Sequence, residues 1–364
     1  MEITIPHKDL LTALEIIGRI SAKSVTLPIL QCVKITASKK AISLQATNLE
    51  LNISIPLTGS IEEEGEVAVP TQIFLQSIQF VSQREVILRI EDQTLQIETE
   101  TSNTSIKTFP PDEFPSIHHL TGESVQIQNK NFAYGIKSVA FAASQTSIKP
   151  ELGSVYIQQN KEHSLTFVAT DSFRLMEKTI AQKNLILDQT FMVPSKNALE
   201  LARVCEVIED DAQLIVSENQ CALLFPNGVY IASRLTTGSF PDYNQIIPKE
   251  YITHVTVLKE DIVRSFKKTS IFLNKFRQVS LTTTQKNLTI ASQNNDTGHI
   301  TDTIKAVVEG EELSLNFNQQ YVIDPFNYIQ DDSVKLSFAG IGRAMVMQGV
   351  SDKSLRYLVM PMNK

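Results

Sequence analysis

The sequence predicts an α+β protein built as three copies of one domain, each with two helices packed on antiparallel sheet. One short phrase returns at a near-constant interval. Ala46-Thr47-Asn48-Leu49 closes the apolar run 42–45, Ala169-Thr170-Asp171-Ser172 closes 165–168, and Ala291-Ser292-Gln293-Asn294 closes 288–290. The spacings, 123 and 122 residues, are about a third of the 364-residue chain, so the repeating object is a whole domain rather than a solenoid unit. Helical-period segments occur twice per copy, and alternating apolar and polar residues fill the stretches between them.

The first helix of each copy opens near Asp9, Asn131 and Asp261. Leu10, Ala13, Leu14, Ile17 and Ile20 form one apolar stripe, and Phe132, Ile136, Val139 and Ala143 form its counterpart. The second helix opens at Pro70-Thr71, Pro194-Ser195 and Phe317-Asn318, residues suited to a helix start. Segments 86–90, 95–98, 214–216, 221–224 and 334–338 alternate with period two and read as antiparallel strands. Copies one and two end in Phe109-Pro110-Pro111-Asp112-Glu113-Phe114-Pro115 and Gly238-Ser239-Phe240-Pro241-Asp242-Tyr243, where proline ends ladders and helices. The expected domains are 1–122, 123–250 and 251–364. Helix-then-strands occurs twice in each, which points to an older duplication.

With 42% apolar and 20% charged residues, each third can bury its own core. No apolar run approaches the roughly 18 residues of a membrane span, and the first seven residues lack the pattern of a signal peptide, so the expected location is cytoplasmic. Cys32, Cys205 and Cys221 sit in apolar contexts and read as buried reduced thiols. A net charge of −7 argues against nucleic acid when taken alone. Its distribution argues the other way. Arg264, Lys268 and Lys275 share a helical stripe, as do Lys8, Arg19 and Lys23, while Lys130 and Lys137, then Lys196 and Arg203, follow in copy two. The acidic runs 62–64, 209–211 and 309–312 fall in turns. Basic helices beside acidic loops point to an anionic surface on the helix side.

Catalytic chemistry is not indicated. There is no phosphate-binding loop, and Gly340-Ile341-Gly342-Arg343 has no helix after it, so it reads as a turn. The histidines (His7, His118, His119, His163, His254 and His299) have no metal-ligand spacing. Asp171-Ser172 has no histidine to complete a triad. No catalytic residue, metal or cofactor is expected.

Four segments in order carry a resemblance: Thr26-Leu27-Pro28-Ile29-Leu30, Ala169-Thr170-Asp171-Ser172-Phe173-Arg174-Leu175, the 238–243 motif, and Tyr357-Leu358-Val359-Met360-Pro361-Met362. Over essentially its full length the chain resembles the bacterial sliding clamps, the beta subunits of DNA polymerase III. The resemblance implies a head-to-tail homodimer whose six clamp-type domains form a ring around duplex DNA, one chain being half of it. It implies a non-enzymatic subunit that holds the replicative polymerase, clamp loader and repair proteins through short peptides. The implied peptide pocket comprises Leu152, Thr170, Ser172, Phe173, Arg174, Leu175, Pro241, Gln245, Ile246, Asn318, Tyr321, Leu358, Met360, Pro361 and Met362. Met and Leu side chains would form its floor. The implied DNA-facing cations are Lys23, Lys137, Lys149, Lys196, Arg203, Arg264 and Lys268. Thr104 and Ile106 on the first domain's edge strand would meet Ser270 and Ile271 beside the third domain's first helix in the dimer.

The chain departs from the family pattern at Ser172-Phe173, where Gly-His is usual, and at Gln245 and Asn363, where basic residues are usual. The pocket is therefore expected to be more apolar and less positive. Pro325 should kink or end the last helix. The alternative reading is a three-domain peptide-binding scaffold that does not encircle DNA.

Overall fold

The computed structural model describes residues 1–21, 27–39, 41–99, 102–146, 148–160, 164–182, 187 and 189–362. Copy one runs β1 (Glu2–Pro6), α1 (His7–Ile20), β2 (Cys32–Ser38), β3 (Ala41–Thr47), β4 (Leu51–Leu57), β5 (Ser60–Glu63), β6 (Gly65–Pro70), α2 (Thr71–Gln79), β7 (Glu85–Glu91), β8 (Thr94–Glu98) and β9 (Asn103–Lys107). Copy two runs β10 (Ser124–Gln126), α3 (Asn129–Ala140), β11 (Ser154–Gln159), β12 (Ser164–Thr170), β13 (Arg174–Ala181), β14 (Phe191–Pro194), α4 (Ser195–Val207), β15 (Gln213–Val216), β16 (Gln220–Leu224) and β17 (Tyr230–Arg234). Copy three runs β18 (Thr253–Leu258), α5 (Lys259–Thr269), β19 (Gln278–Thr284), β20 (Asn287–Asn294), β21 (Gly298–Lys305), β22 (Val307–Gly310), β23 (Ser314–Asn318), α6 (Gln319–Ile323), β24 (Ser333–Phe338), β25 (Met345–Gly349) and β26 (Leu355–Val359).

Each copy contains helix-then-strands twice, as the pattern indicates, but its strands do not form one sheet. They divide between two, and the leading strand of each half joins the other half's sheet: β1 pairs with β7 and β6 with β2. Copies two and three repeat the exchange, with β10 on β15, β14 on β11, β18 on β24 and β23 on β19. One face of each sheet is apolar and needs a cover. The helices supply it: the stripe Leu10, Leu14 and Ile17 is buried, with α1 against β3, β4 and α2.

The sheets also run on from copy to copy. β4 pairs with β17 in an eight-stranded sheet, with Ile53 opposite Ile231. β13 pairs with β26 in a nine-stranded sheet, with Met176 opposite Tyr357. The chain accordingly divides into two compact units, 1–133 with 196–235, and 134–195 with 236–364. Each unit holds one such seam. The first also holds the five-stranded sheet β5-β1-β7-β8-β9, and the second the four-stranded sheet β21-β20-β19-β23. β9 and β5 are the edges of the former, and β21 and β23 those of the latter.

Three local expectations are settled by the backbone. Pro325 does end the last helix: α6 stops at Ile323 and tightens into a 3-10 turn at Asp324–Asn327. Lys275 is not on the helical stripe of Arg264 and Lys268, because α5 ends at Thr269, whose hydroxyl bonds back to Ser265 O. The repeated phrase shifts by one residue in copy three. The inward residues are Ala46, Ala169 and Ser292, opposite Ile53, Met176 and Ile300, so the interval is 123 residues both times. Asn48, Asp171 and Asn294 then coincide. All three side chains accept from backbone N–H groups of the following turn.

Gly135 on α3 leaves no room for a side chain, since a Cβ there would lie 2.3 Å from the Phe167 ring. Gly135→Ala should cost about 1–3 kcal/mol by overpacking, read as a lower denaturation midpoint with an unchanged circular dichroism spectrum.

Candidate functional site

All of the proposed pocket residues belong to the second compact unit, where the β13–β26 seam sets Leu175 opposite Leu358. The turn between β12 and β13 is set by Asp171, whose Oδ1 accepts from the backbone N–H of Phe173 and of Arg174, both at 3.0 Å. Ser172 takes the left-handed conformation at φ 78°, where a non-glycine residue is uncommon. This turn puts Phe173 in solvent at 61% exposure and returns Arg174 to the sheet.

Arg174 is the centre of the site. Its Nε donates to Asp171 Oδ2 at 2.9 Å, one terminal nitrogen bonds Asp324, and the other donates to Phe141 O at 2.8 Å. The guanidinium lies over the Tyr321 ring at 4.4 Å. Tyr357 holds Tyr321 in turn, donating to its carbonyl at 2.6 Å. Every face of this cation is occupied.

Beside it the strands present a buried apolar floor of Val168, Leu175, Val346 and Leu358, with Tyr243 and Ala344. Phe240 stacks on Tyr156 at 4.7 Å and packs against the same cluster. Of the expected Met and Leu floor, Leu358 is buried within β26, while Met360 lies past the end of that strand and is 38% exposed at the rim. Met360 N donates to Phe173 O at 2.8 Å, and Met362 N donates to Asn316 O at 2.7 Å, so the terminal segment is tied to both sides. Ile246, 54% exposed, Pro241, Ser172 and Gln245 line the outer rim. Thr170 is buried, donating to Arg174 O. Asn318 caps α6 by accepting from Gln320 N, while Pro361 and Met362 are half-buried. Leu152 is buried in a 3-10 turn against β12. Gln245 donates to Asp242 at 2.9 Å. Asn363 lies outside the described residues. Tyr156, Phe240, Tyr243 and Val346 were not among the expected pocket residues, although the aromatics of the 238–243 motif carried the signal.

The basic residues are less available than their spacing implies. Arg203 pairs with Glu200, whose carboxyl is pushed up by burial against the pull of Arg203 and Arg19. Arg264 meets Glu260 at 2.6 Å and Asp261 at 3.7 Å. Lys268 bonds Asp302 at 2.9 Å and holds that carboxyl below its usual range. Lys149 and Lys196 are exposed, Lys137 is half-buried, and Lys23 lies outside the described residues. Ile106 is buried within its own sheet and Thr104 is half-buried, while Ser270 and Ile271 are exposed, Ile271 at 69%. Cys32, Cys205 and Cys221 are buried, and burial pushes the Cys205 and Cys221 thiols up to about 12. Among the described residues no cluster of metal-ligating side chains occurs, and no helix is long and apolar enough to cross a membrane.

Three successive segments match the three domains of one family, the DNA polymerase III beta subunit: residues 1–118 its N-terminal domain, 126–242 its central domain and 244–363 its C-terminal domain. The chain belongs to that family. Curated beta-subunit relatives include the beta sliding clamp of Haemophilus influenzae, 24% identical with all of both chains covered, and that of Vibrio cholerae, 25% identical over 99% of each. The crystal structure of the DNA polymerase III subunit beta from Pseudomonas aeruginosa superposes with a TM-score of 0.94 at 23% identity, covering all of both chains. The Thermotoga maritima beta subunit also gives 0.94, at 22% identity, over 100% of this chain and 99% of that one.

Proposed function

We propose that this protein is a non-catalytic, cytoplasmic sliding clamp: a head-to-tail homodimer that encircles duplex DNA and tethers the polymerase and other partners through the Phe173–Met360 surface. Its domains are 1–122, 123–250 and 251–364. The observation that carries the reading is that two equivalent seams are closed within the chain, while the strands in the corresponding places of a third, β9 and β21, are sheet edges among the described residues. β9 occupies the place of β17 and β26, and β21 that of β4 and β13.

The internal repeat even supplies a register. Thr104 corresponds to Ile231 and Tyr357, and Ile300 to Ile53 and Met176, so Thr104 of one copy faces Ile300 of the next, with Ser105 opposite His299 and Asn103 opposite Thr301. Backbone parity agrees. Thr108 N bonds Gln93 and Ala306 N bonds Lys286, so the even-numbered residues of both edges face inward and the odd-numbered ones present free groups outward. A helix contact follows by the same equivalence. Tyr328 stacks on Phe141 at 5.3 Å in the closed seam. Phe80, 87% exposed, and Ile271, 69% exposed, hold those two places at the open one. The partner of Ile106's strand is thus β21, and Ile271 gains Phe80 as its counterpart.

Sequence-independent attraction to phosphates suits a ring, because closure supplies retention and the contacts need only be weak and equivalent. Arg203, Arg264 and Lys268 must exchange carboxylates for phosphates to contribute. Those ion pairs favour the alternative of a peptide-binding scaffold without DNA, and one experiment separates the two. Protein at twice 40.6 kDa, assembled on a nicked circular plasmid by a clamp loader, should survive gel filtration and fall away when the plasmid is linearised. Loss from both forms would sink encirclement.

A further inference from the structure

We infer that the pocket selects partner peptides carrying neutral or basic residues beside their apolar anchors and discriminates against acidic ones. This rests on the partner-pocket reading and deepens it. The apolar part of the surface is plain: Phe173, Ile246 and Met360 stand exposed over a floor of buried Leu175 and Leu358. What flanks it is not cationic. Arg174 is held by two carboxylates, Asp171 and Asp324, and also donates to the Phe141 backbone carbonyl. The cluster therefore has one more negative charge than positive.

The rim adds to the imbalance. Asp242 is exposed, and its partners Asn244 and Gln245 are neutral amides. Arg356, on the strand that supplies Leu358, is committed to Glu177 at 3.7 Å. Lys149 and Glu151 flank Pro150 and offset one another. A bound acidic side chain would thus approach the exposed Asp242 carboxylate and the net-negative Asp171–Arg174–Asp324 cluster, a repulsion that added salt screens. A lysine or arginine in the same place would be drawn to the exposed Asp242 carboxylate.

The test uses the full chain and three fluorescein-labelled octapeptides with one Leu-Phe anchor pair, flanked by two aspartates, two serines or two lysines. In anisotropy titrations at low salt the dissociation constant should rise from lysine to serine to aspartate, by at least about threefold per step, and the spread should shrink as salt is added. Asp242→Asn, which keeps an oxygen to accept from Asn244 N–H, should narrow the lysine-to-aspartate ratio about threefold with unchanged melting temperature. Aspartate peptides binding as tightly as serine peptides, or an Asp242→Asn ratio identical to wild type, would overturn the charge inference while leaving the pocket. If none of the three peptides binds at millimolar concentration, the pocket reading falls and the inference goes with it.

Discussion

Ser105→Pro combined with Phe80→Asp should turn the dimer into monomers, raising its dissociation constant by at least about 100-fold. The backbone N–H of Ser105 points out of β9, away from β8, so proline there removes no backbone hydrogen bond inside the chain, only the hydroxyl's bond to Gln96 on the exposed edge. In the proposed dimer that N–H faces His299 of the next copy, and its loss costs about 0.5–1.5 kcal/mol. Burying Phe80 at the joint contributes about 1.5–3 kcal/mol, and a carboxylate in its place must also be desolvated. Together these come to about 2–4.5 kcal/mol before the carboxylate's desolvation, which carries the sum past the roughly 3 kcal/mol that a 100-fold change requires. Sedimentation velocity across micromolar and nanomolar concentrations would show the shift. A variant that remains dimeric throughout would refute the β9–β21 seam.

Arg174→Ala should destabilise the second compact unit and abolish peptide binding together. It leaves Asp171 and Asp324, only 12% and 21% exposed, without their cation. Removing one partner from such a buried cluster typically costs about 3–5 kcal/mol. Adding Asp324→Asn should restore part of that stability, because the amide carries no charge to leave unpaired. Urea unfolding of the two variants tests the account, and equal midpoints for the single variant and wild type would contradict it.

Much of this architecture was legible in the sequence because it is local. The stripe from Leu10 to Ile20 lies within one helix, and the alternation at 86–90 within one strand. The turn chemistry of Asp171 is written in its own tetrapeptide. What could not be read was pairing. Period two announces a strand without naming its neighbour, so the exchange of β1 and β6, and the seams β4–β17 and β13–β26, were invisible. Ala291-Ser292 resembles Ala46-Thr47 in residue type, yet the inward-facing residue of the third phrase is Ser292, because residue likeness does not reveal which face of a strand a position takes. The cations were visible but their tethers were not: Lys268 and Asp302 meet from a helix and a strand 34 residues apart.

The unlike edges β9 and β21 have a consequence for how such a chain could evolve. Duplicating or deleting one copy would leave the same pair of termini-side edges, still complementary to one another. Edge chemistry is therefore indifferent to how many copies a closed assembly contains. That number must be fixed by the angle through which each copy turns the next, so a change in bend at a seam could alter stoichiometry while every strand kept its partner.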